Sequence, residues 1–354
     1  MPKFLHTADL HLNALRRFSK YYLDRIQRCL QAITRIAEEH GVDFIVVSGD
    51  VYDRRDITHA ERMLLSEWLL NNETPVVMTS GNHDKRSNEV GDTCLSYLSV
   101  LTPKITRHVI HDGLPQIVQR FGCNLLLIPY QGWMDQELFL ILQGLLDRCD
   151  SSLPTIVVMH EAVQGCKNDV GRTITKDNQI RLDDAFSEVT YWALGDIHLR
   201  QQMGPRAWYS GSPHQTRFDE DPEKGVLIVD TDDPEEVEFV PVPSIPLLIL
   251  TEEPDTWPAP EEALIQFRPV GTYPDSALPL NVELHPTAMG VQLSDERDAS
   301  IRMVDVFDGL DDALYRAGLR EDLFPLAWQL AVKLAQSAGV ETELPDRYKV
   351  DDDE

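Results

Sequence analysis

Five times in this chain a short apolar run ends in residues that bind metal ions or move protons, and that repetition restricts the fold more than any other feature. The middle instance is the plainest. Pro75-Val76-Val77-Met78-Thr79 leads into Gly81-Asn82-His83-Asp84, which puts an amide oxygen, an imidazole and a carboxylate at one strand tip. Ahead of it, residues 3–8 run into Asp9-Leu10-His11, and residues 42–48 run into Gly49-Asp50-Val51-Tyr52-Asp53. Behind it, residues 155–159 end in His160-Glu161, and residues 191–194 end in Gly195-Asp196-Ile197-His198. One Asp-x-His or Gly-Asp pair alone is ordinary turn chemistry, because Gly, Asn and Asp favour turns. Five in succession, each behind a run of strand length, form a pattern.

Helical spacing fills the gaps. Between Lys20 and His40 the apolar residues Leu23, Ile26, Leu30, Ile33 and Ala37 share one face, and Gly41 follows as a stop signal. Further helices are expected over 59–70, 91–101 and 135–150. Strands alternating with helices imply an α/β fold with a largely parallel sheet covered on both faces. Such a sheet binds ligands in the crevice at the carboxyl ends of its strands, where all five tips would meet. Strands are also expected near 107–111, 123–129, 208–210, 226–230 and 237–240. Little helix separates the last three, so the second half reads as more antiparallel. The polar stretch 167–181 reads as a long loop.

From Pro241 to Pro279 prolines become dense. This composition shift marks a boundary. A metal-dependent domain over 1–240 is followed by a small α+β unit over 241–300, with strands near 264–268 and 281–284. A helical segment over 301–345 comes next, with helices at 311–318 and 323–338. The acidic tail 346–354 is expected to be disordered.

Formal charge over the 354 residues is −27, which sets a limit on how the chain meets other molecules. Residues 241–354 hold 8 Lys and Arg against 23 Asp and Glu, and residues 1–240 hold 24 against 36. Phosphate contacts supply most non-specific affinity for nucleic acid. Any such affinity here must be local, metal-assisted or supplied by a partner. Five cysteines with no Cys-x-x-Cys pair suit a reducing compartment. No apolar run approaches membrane-spanning length, and Met1 to His6 lacks the charged leader and apolar core of a signal peptide. A cytoplasmic location without membrane contact is expected.

The strand tips divide into two ligand sets. Asp9, His11 and His198 suit one divalent cation, and Asn82, His160 and Asp196 suit another. Asp50 bridges the two, since paired cations usually lie about 3.5–4 Å apart and share a carboxylate. Carboxylate, amide and imidazole ligands without thiolate suit manganese, and also iron, zinc or magnesium. Two such ions activate water for in-line attack on a phosphate ester and absorb the charge that develops. His83 is then left for the substrate, as the catalytic residue that stabilises charge or protonates the leaving oxygen. Asp53 or Asp84 would orient an imidazole from behind. Arg54, Arg55 and Arg86 sit beside these motifs as candidate phosphate contacts. His6, His40, His59, His108, His111 and His285 lack ligand spacing and read as structural. His214, after a Gly-Ser-Pro turn, has a position that could face the site.

The ordered set Asp-x-His, Gly-Asp, Gly-Asn-His, lone His and Gly-x-x-His resembles the calcineurin-like metallophosphoesterases over about residues 3–230. That resemblance implies a four-layer αββα sandwich. One position departs from it, Asp196 standing where the general pattern has His, which implies an intact site with altered metal preference. Within the superfamily, Tyr191–His198, Tyr209-Ser210-Gly211-Ser212-Pro213, Lys224–Asp230 and the small acidic domain are similar to the SbcD-type nuclease subunits of double-strand-break repair and their phage counterparts. The likeness implies a manganese-dependent exonuclease and endonuclease acting on DNA, in a bacterial or phage-infected cell. It also implies a homodimer, a coiled-coil ABC ATPase of the SbcC type as partner, a small domain capping the DNA groove, and a C-terminal helix as the ATPase docking element. A stand-alone small-substrate phosphodiesterase shares every metal residue. A non-catalytic DNA-end scaffold would need a degenerate site. A protein phosphatase fits less well, because that family opens with Gly-Asp-x-His-Gly, whereas Gly195-Asp196-Ile197-His198 comes last.

Overall fold

Strands covered on both faces carry near-continuous apolar sequence, and the runs here include three, of five or six residues, that are buried from end to end. These are β2 (Phe44–Ser48), β6 (Cys123–Ile128) and β7 (Thr155–His160), each buried throughout. The structure, a computed structural model, describes residues 1–16, 21–101, 105–168, 171–175, 180–182, 186–269, 278–279 and 281–284. The chain divides into two units, Met1–Gly290 and Val291–Glu354. The second unit lies outside the described residues, and with it the helices expected at 311–318 and 323–338, the docking segment 301–345 and the tail 346–354. His285 lies outside them too.

Two six-stranded sheets organise the first unit. One has the order β12 (Glu238–Pro241), β11 (Gly225–Asp230), β1 (Lys3–Thr7), β2, β3 (Val76–Thr79), β4 (Val109–His111). The other runs β5 (Gln116–Arg120), β6, β7, β8 (Tyr191–Gly195), β10 (Ala207–Tyr209), β9 (Gln201–Gly204). The strands that end in motif residues pair in parallel, β1 with β2 and β2 with β3 in one sheet, β7 with β8 in the other. Their tips therefore lie at one end. Antiparallel pairing joins β11 to β12 as expected and also occurs in β1–β11, β5–β6 and β9–β10, while β10 runs parallel to β8.

Side-chain alternation along each strand then sorts residues into layers. Phe4, Phe44, Val46 and Val77 of the first sheet meet Leu125, Leu127, Ile156, Val158 and Tyr191 of the second in a central core. Phe4 stacks on Phe44 with ring centroids 5.2 Å apart. Their neighbours Leu5, Ile45, Val47, Val76 and Met78 face outward onto α1 (Tyr22–Glu39) and α2 (His59–Asn71). Leu126, Val157, Met159, Trp192 and Leu194 face outward onto α3 (Asp135–Leu146). The result is the expected helix–sheet–sheet–helix sandwich. His160 follows Val158 by two residues, so it points between the sheets.

Two differences from the sequence expectation have physical causes. No α-helix forms over 91–101, where only Ser96–Leu101 winds as a 3₁₀ turn. Gly91 has φ +79°, the Ser96 hydroxyl bonds the Gly91 and Thr93 carbonyls, and the Thr93 hydroxyl donates to Asp112 at 2.7 Å. Those side-chain bonds compete with the helical ladder. The strands β5 and β9 carry polar, partly exposed sequence at sheet edges, which hides them from a search for apolar runs. The acidic segment after 241 builds a third, parallel sheet of β13 (Leu247–Leu250), β14 (Leu264–Phe267) and β15 (Val282–Leu284). Leu247 and Leu264 of this sheet pack on Leu15 and Tyr22 at the start of α1.

His6 sits fully buried in the middle layer, its ring nitrogens 3.2 Å from the Tyr191 hydroxyl and 3.3 Å from that of Ser48. Burial pushes its imidazole down to about 3. The folded state keeps this ring neutral while the unfolded chain protonates it near 6.5, so its contribution is complete above 6.5 and is lost as pH falls toward 3. The loss is about 1.4 kcal/mol per pH unit in that window. The stability of wild type relative to His6→Gln, measured by denaturant unfolding, should therefore fall by about 2 kcal/mol between pH 6.5 and 5. A difference that does not change with pH contradicts this account.

Candidate metal centre

Four of the residues at the strand tips hold backbone conformations that side chains rarely adopt. Asp9, His11, Asp50 and Asp196 have φ of 53°, 41°, 49° and 94°. Such strain costs of order 1–3 kcal/mol per residue and persists only where the surroundings enforce it. Here the surroundings are glycines and buried acceptors. A Cβ on Gly81 would overlap the Asp50 carboxylate, one on Gly49 the His160 ring, and one on Gly195 the Ser48 carbonyl. Close approach of neighbouring tips thus requires glycine in three of the motifs.

Asp84 takes three backbone N–H groups, from Val51 at 3.1 Å, Tyr52 at 2.9 Å and Gly81 at 2.9 Å. It fastens the Asp50 loop to the His83 loop. The expectation that Asp84 orients an imidazole is corrected: its bonds are to backbone, and Asp53 is the residue beside the rings. Asp53 Oδ1 lies 3.4 Å from His11 Nδ1, and the Asp53 carbonyl accepts His83 Nδ1–H at 2.8 Å. Asn13, which the sequence pattern did not single out, accepts the amides of Asp53 and Arg54 on its side-chain oxygen.

The seven candidate ligands all converge. His11 Nε2 lies 2.9 Å from His198 Nε2, 3.6 Å from Asp50 Oδ2 and 4.0 Å from Asp9 Oδ1. On the other side, His160 Nε2 lies 3.0 Å from Asn82 Oδ1, 3.3 Å from Asp50 Oδ1 and 3.9 Å from Asp196 Oδ1. The two Asp50 oxygens face opposite halves of the cluster. Groupings with ligand atoms mutually within 4.8 Å are Asp9–His11–His198, Asp9–Asp50–His160 and His11–Asp53–His83. The last offers Asp53 and His83 as competing ligands to the assignment made from sequence.

Charge at the cluster is unbalanced. Burial pushes Asp9 up to about 6, against the pull of His160 and His198. Burial also opposes ionisation of Asp50, but His160, His11 and His83 outweigh it and hold that carboxyl well below the usual range. Burial disfavours a charged His160, yet Asp50, Asp9 and Asp196 outweigh it and raise its imidazole well above the usual histidine range. His160 donates Nδ1–H to the Ser48 carbonyl at 2.7 Å, so the atom turned to the acids is Nε2. Asp9 Oδ2 is buried and has no hydrogen-bond partner. An orphaned carboxylate oxygen, two imidazole Nε2 atoms facing each other at 2.9 Å and three converging carboxylates all fit divalent cations.

His83 differs from these residues. Its side chain is 43% exposed, whereas His11 and His160 are 1% and 0%. It lines a cleft of about 420 Å³ with His11, Asp53, Asp196, His198, Thr216 and Arg217. Arg54 pairs with Asp56 at 3.1 Å and Arg86 lies 3.9 Å from Asp92, while Arg55 is exposed; these three stand on the loops beside the cleft and do not line it. Arg217, near the chemistry but far from the motifs in sequence, carries no signal that would have found it. Nor was Glu220 found. Its Oε1 accepts His198 Nδ1–H at 3.1 Å, and burial is outweighed by that bond and the Lys224 charge, which hold its carboxyl well below the usual range. His214 does not face the site. It is buried, accepts from Arg25 on Nδ1 and donates Nε2–H to the Leu10 carbonyl at 2.6 Å.

The chain belongs to the calcineurin-like phosphoesterases, whose family profile matches residues 2–203. That family uses divalent metals, and the Asp and His clusters agree with it. The chain is similar to the SbcD component of the nuclease SbcCD from Escherichia coli K12, 30% identical over 258 residues that make up 62% of each chain. It is also similar to the DNA double-strand break repair protein Mre11 of Archaeoglobus fulgidus, 25% identical over 220 residues, 56% of this chain and 46% of that one. The uncharacterized metallophosphoesterase YhaO of Bacillus subtilis is 25% identical over 243 residues, 64% of this chain and 56% of that one. The matches span less than two thirds of each relative's own length. Among the described residues no helix is long and apolar enough to cross a membrane.

Replacing Gly195 by alanine sets a methyl group against the Ser48 carbonyl, which is fixed in a central strand. Gly195→Ala should cost at least about 2 kcal/mol of folding stability in denaturant unfolding. A neutral substitution would mean that the two sheets do not approach as closely as described.

Proposed function

We propose that the chain is a dinuclear-metal DNA nuclease, cleaving phosphodiester bonds as exonuclease and endonuclease in DNA end processing, repair or recombination, with an ATPase of the SbcC type as partner. The observation that carries the metal chemistry is the Asp50 carboxylate, one oxygen 3.6 Å from His11 Nε2 and the other 3.3 Å from His160 Nε2. In this reading Asp9, His11, Asp50 and His198 hold one cation, and Asp50, Asn82, His160 and Asp196 hold the second. Bound there, two divalent ions, manganese by the likeness to SbcD, would supply Lewis-acid charge and a water activated for in-line attack at phosphorus.

The chain's own groups do the rest. Asp53 fixes the tautomer and aim of His83 through its backbone carbonyl, leaving Nε2 4.0 Å from Asp50 Oδ2 in the wall of the cleft. A protonated Nε2 there donates to the leaving oxygen or to a non-bridging phosphate oxygen. The His83 backbone N–H donates to Asp50 Oδ1 at 2.9 Å, so the acid and the bridging carboxylate move as one body. Arg217 at the cleft, with Arg54, Arg55 and Arg86 on the flanking loops, would meet the phosphate backbone. The assignment of DNA as substrate and of an ATPase as partner is supported by the likeness to Mre11 and SbcD. The net charge of −27 also favours a partner that presents the DNA.

The test is a labelled linear duplex with manganese, with and without an SbcC-type ATPase and ATP, beside a small chromogenic phosphodiester. Metal-dependent shortening of the duplex is expected, raised by the ATPase. His83→Ala should lower kcat by about 10²–10⁴-fold while manganese binding is retained. Turnover of the small ester with the duplex untouched, ATPase present, would replace this reading with a stand-alone phosphodiesterase. Inactivity on both substrates would leave a DNA-end scaffold.

A further inference from the structure

Glu220 is 22 residues from His198 in sequence, belongs to none of the strand-tip motifs, and is 4% exposed. Both of its oxygens are engaged. Oε1 accepts His198 Nδ1–H at 3.1 Å and the Thr216 hydroxyl at 2.5 Å. Oε2 accepts the Thr216 backbone N–H at 3.1 Å and the Lys224 ammonium at 2.9 Å. With four donors around two oxygens the carboxylate has no freedom to turn. Lys224 holds the backbone of the same histidine, donating to the His198 carbonyl at 3.1 Å and to the Ser212 hydroxyl at 3.0 Å.

The same short segment also grips the opposite histidine's loop. His214 donates to the Leu10 carbonyl, which lies between Asp9 and His11, and the Gln215 amide ties the Glu220 carbonyl to the Leu247 N–H of β13. Residues 214–224 therefore form a strap that sets the His198 ring and holds the backbone just ahead of His11. His160 takes its orientation from the Ser48 carbonyl, on a different element.

We propose that Glu220 is a positioning residue for one of the two metal positions, fixing the His198 tautomer so that Nε2 is presented to the ion shared with Asp9 and His11. This rests on the reading of His198 as a ligand. Carboxylates behind ligating histidines are worth about 10–100-fold in metal affinity. Because every partner of Glu220 is a donor, Arg217 Nε at 3.7 Å from Oε1 included, an amide in its place must set one N–H against another. The effect should fall on one metal position and spare the one built on Asn82, His160 and Asp196.

Manganese titration calorimetry of the metal-free full chain tests this, with thermal melting of the same samples. Wild type should show two binding events. Glu220→Gln should weaken one by about 10–100-fold and leave the other within a few-fold. Thr216→Val, which keeps the shape but removes the hydroxyl that donates to Glu220 and lies 3.2 Å from His198 Nδ1, should weaken the same event by a smaller factor. His198→Ala should abolish that event. If His198→Ala retains both events, the ligand reading fails. If His198→Ala loses one while Glu220→Gln and Thr216→Val keep wild-type affinities, the ligand reading stands and the role given to Glu220 is overturned. Equal weakening of both events together with a lowered melting temperature would also overturn it, in favour of a purely structural brace.

Discussion

Three carboxylates, Asp9, Asp50 and Asp196, meet three imidazoles in the gap where two sheets come together, and nearly all of them are out of water. The rest of the structure answers to that crowding. Ionised groups buried this deeply are tolerated only if paired, hydrogen-bonded or joined to metal. The acids raise the proton affinity of the His160 imidazole, and burial pushes Asp9 toward its neutral form. Divalent cations would complete the balance. The centre is therefore a place where the fold leaves charge unsatisfied for a ligand to satisfy.

Holding such groups together demands backbone that sequence alone resists. Asp9, His11, Asp50 and Asp196 all have positive φ, and three neighbouring glycines allow the tips to touch. The restraint is supplied from behind by backbone hydrogen bonds to Asp84, by Asn13 under the Asp53 loop, and by the parallel strands that anchor each tip. Among the candidate ligands only His160 lies within a strand, and the other six follow a strand end by one to four residues, so these bonds must hold the loops in place. That arrangement is what preorganisation of a metal site requires.

The strand tips were legible because each ligand follows an apolar run, and parallel pairing then forces the tips to one end. Asp9, His11, Asp50, Asn82, His160, Asp196 and His198 all arrive at the cluster for that reason. Supporting residues were not legible in the same way. Asn13 meets Asp53 across 40 residues, and Glu220 meets His198 across 22, with no periodicity to announce either contact. Asp84 was expected beside an imidazole and instead serves backbone amides, a role that depends on how two loops pack. The 3₁₀ turn at 96–101 shows the same limit, since the hydroxyl bonds that replace a helix there involve Asp112 from outside the segment. Edge strands such as β5 lack the alternation or apolar run by which a strand is read.

The acidic charge of the chain, with a formal net of −27, leaves any grip on phosphate to local, metal-centred contacts in an otherwise repulsive surface. Everything then turns on Asp50 as the shared ligand. The most direct measurement is the anomalous scattering of a manganese-soaked crystal. The account predicts two peaks about 3.5–4 Å apart flanking the Asp50 carboxylate, with His83 unligated. A single peak, or a second ion held by His11, Asp53 and His83, would contradict it.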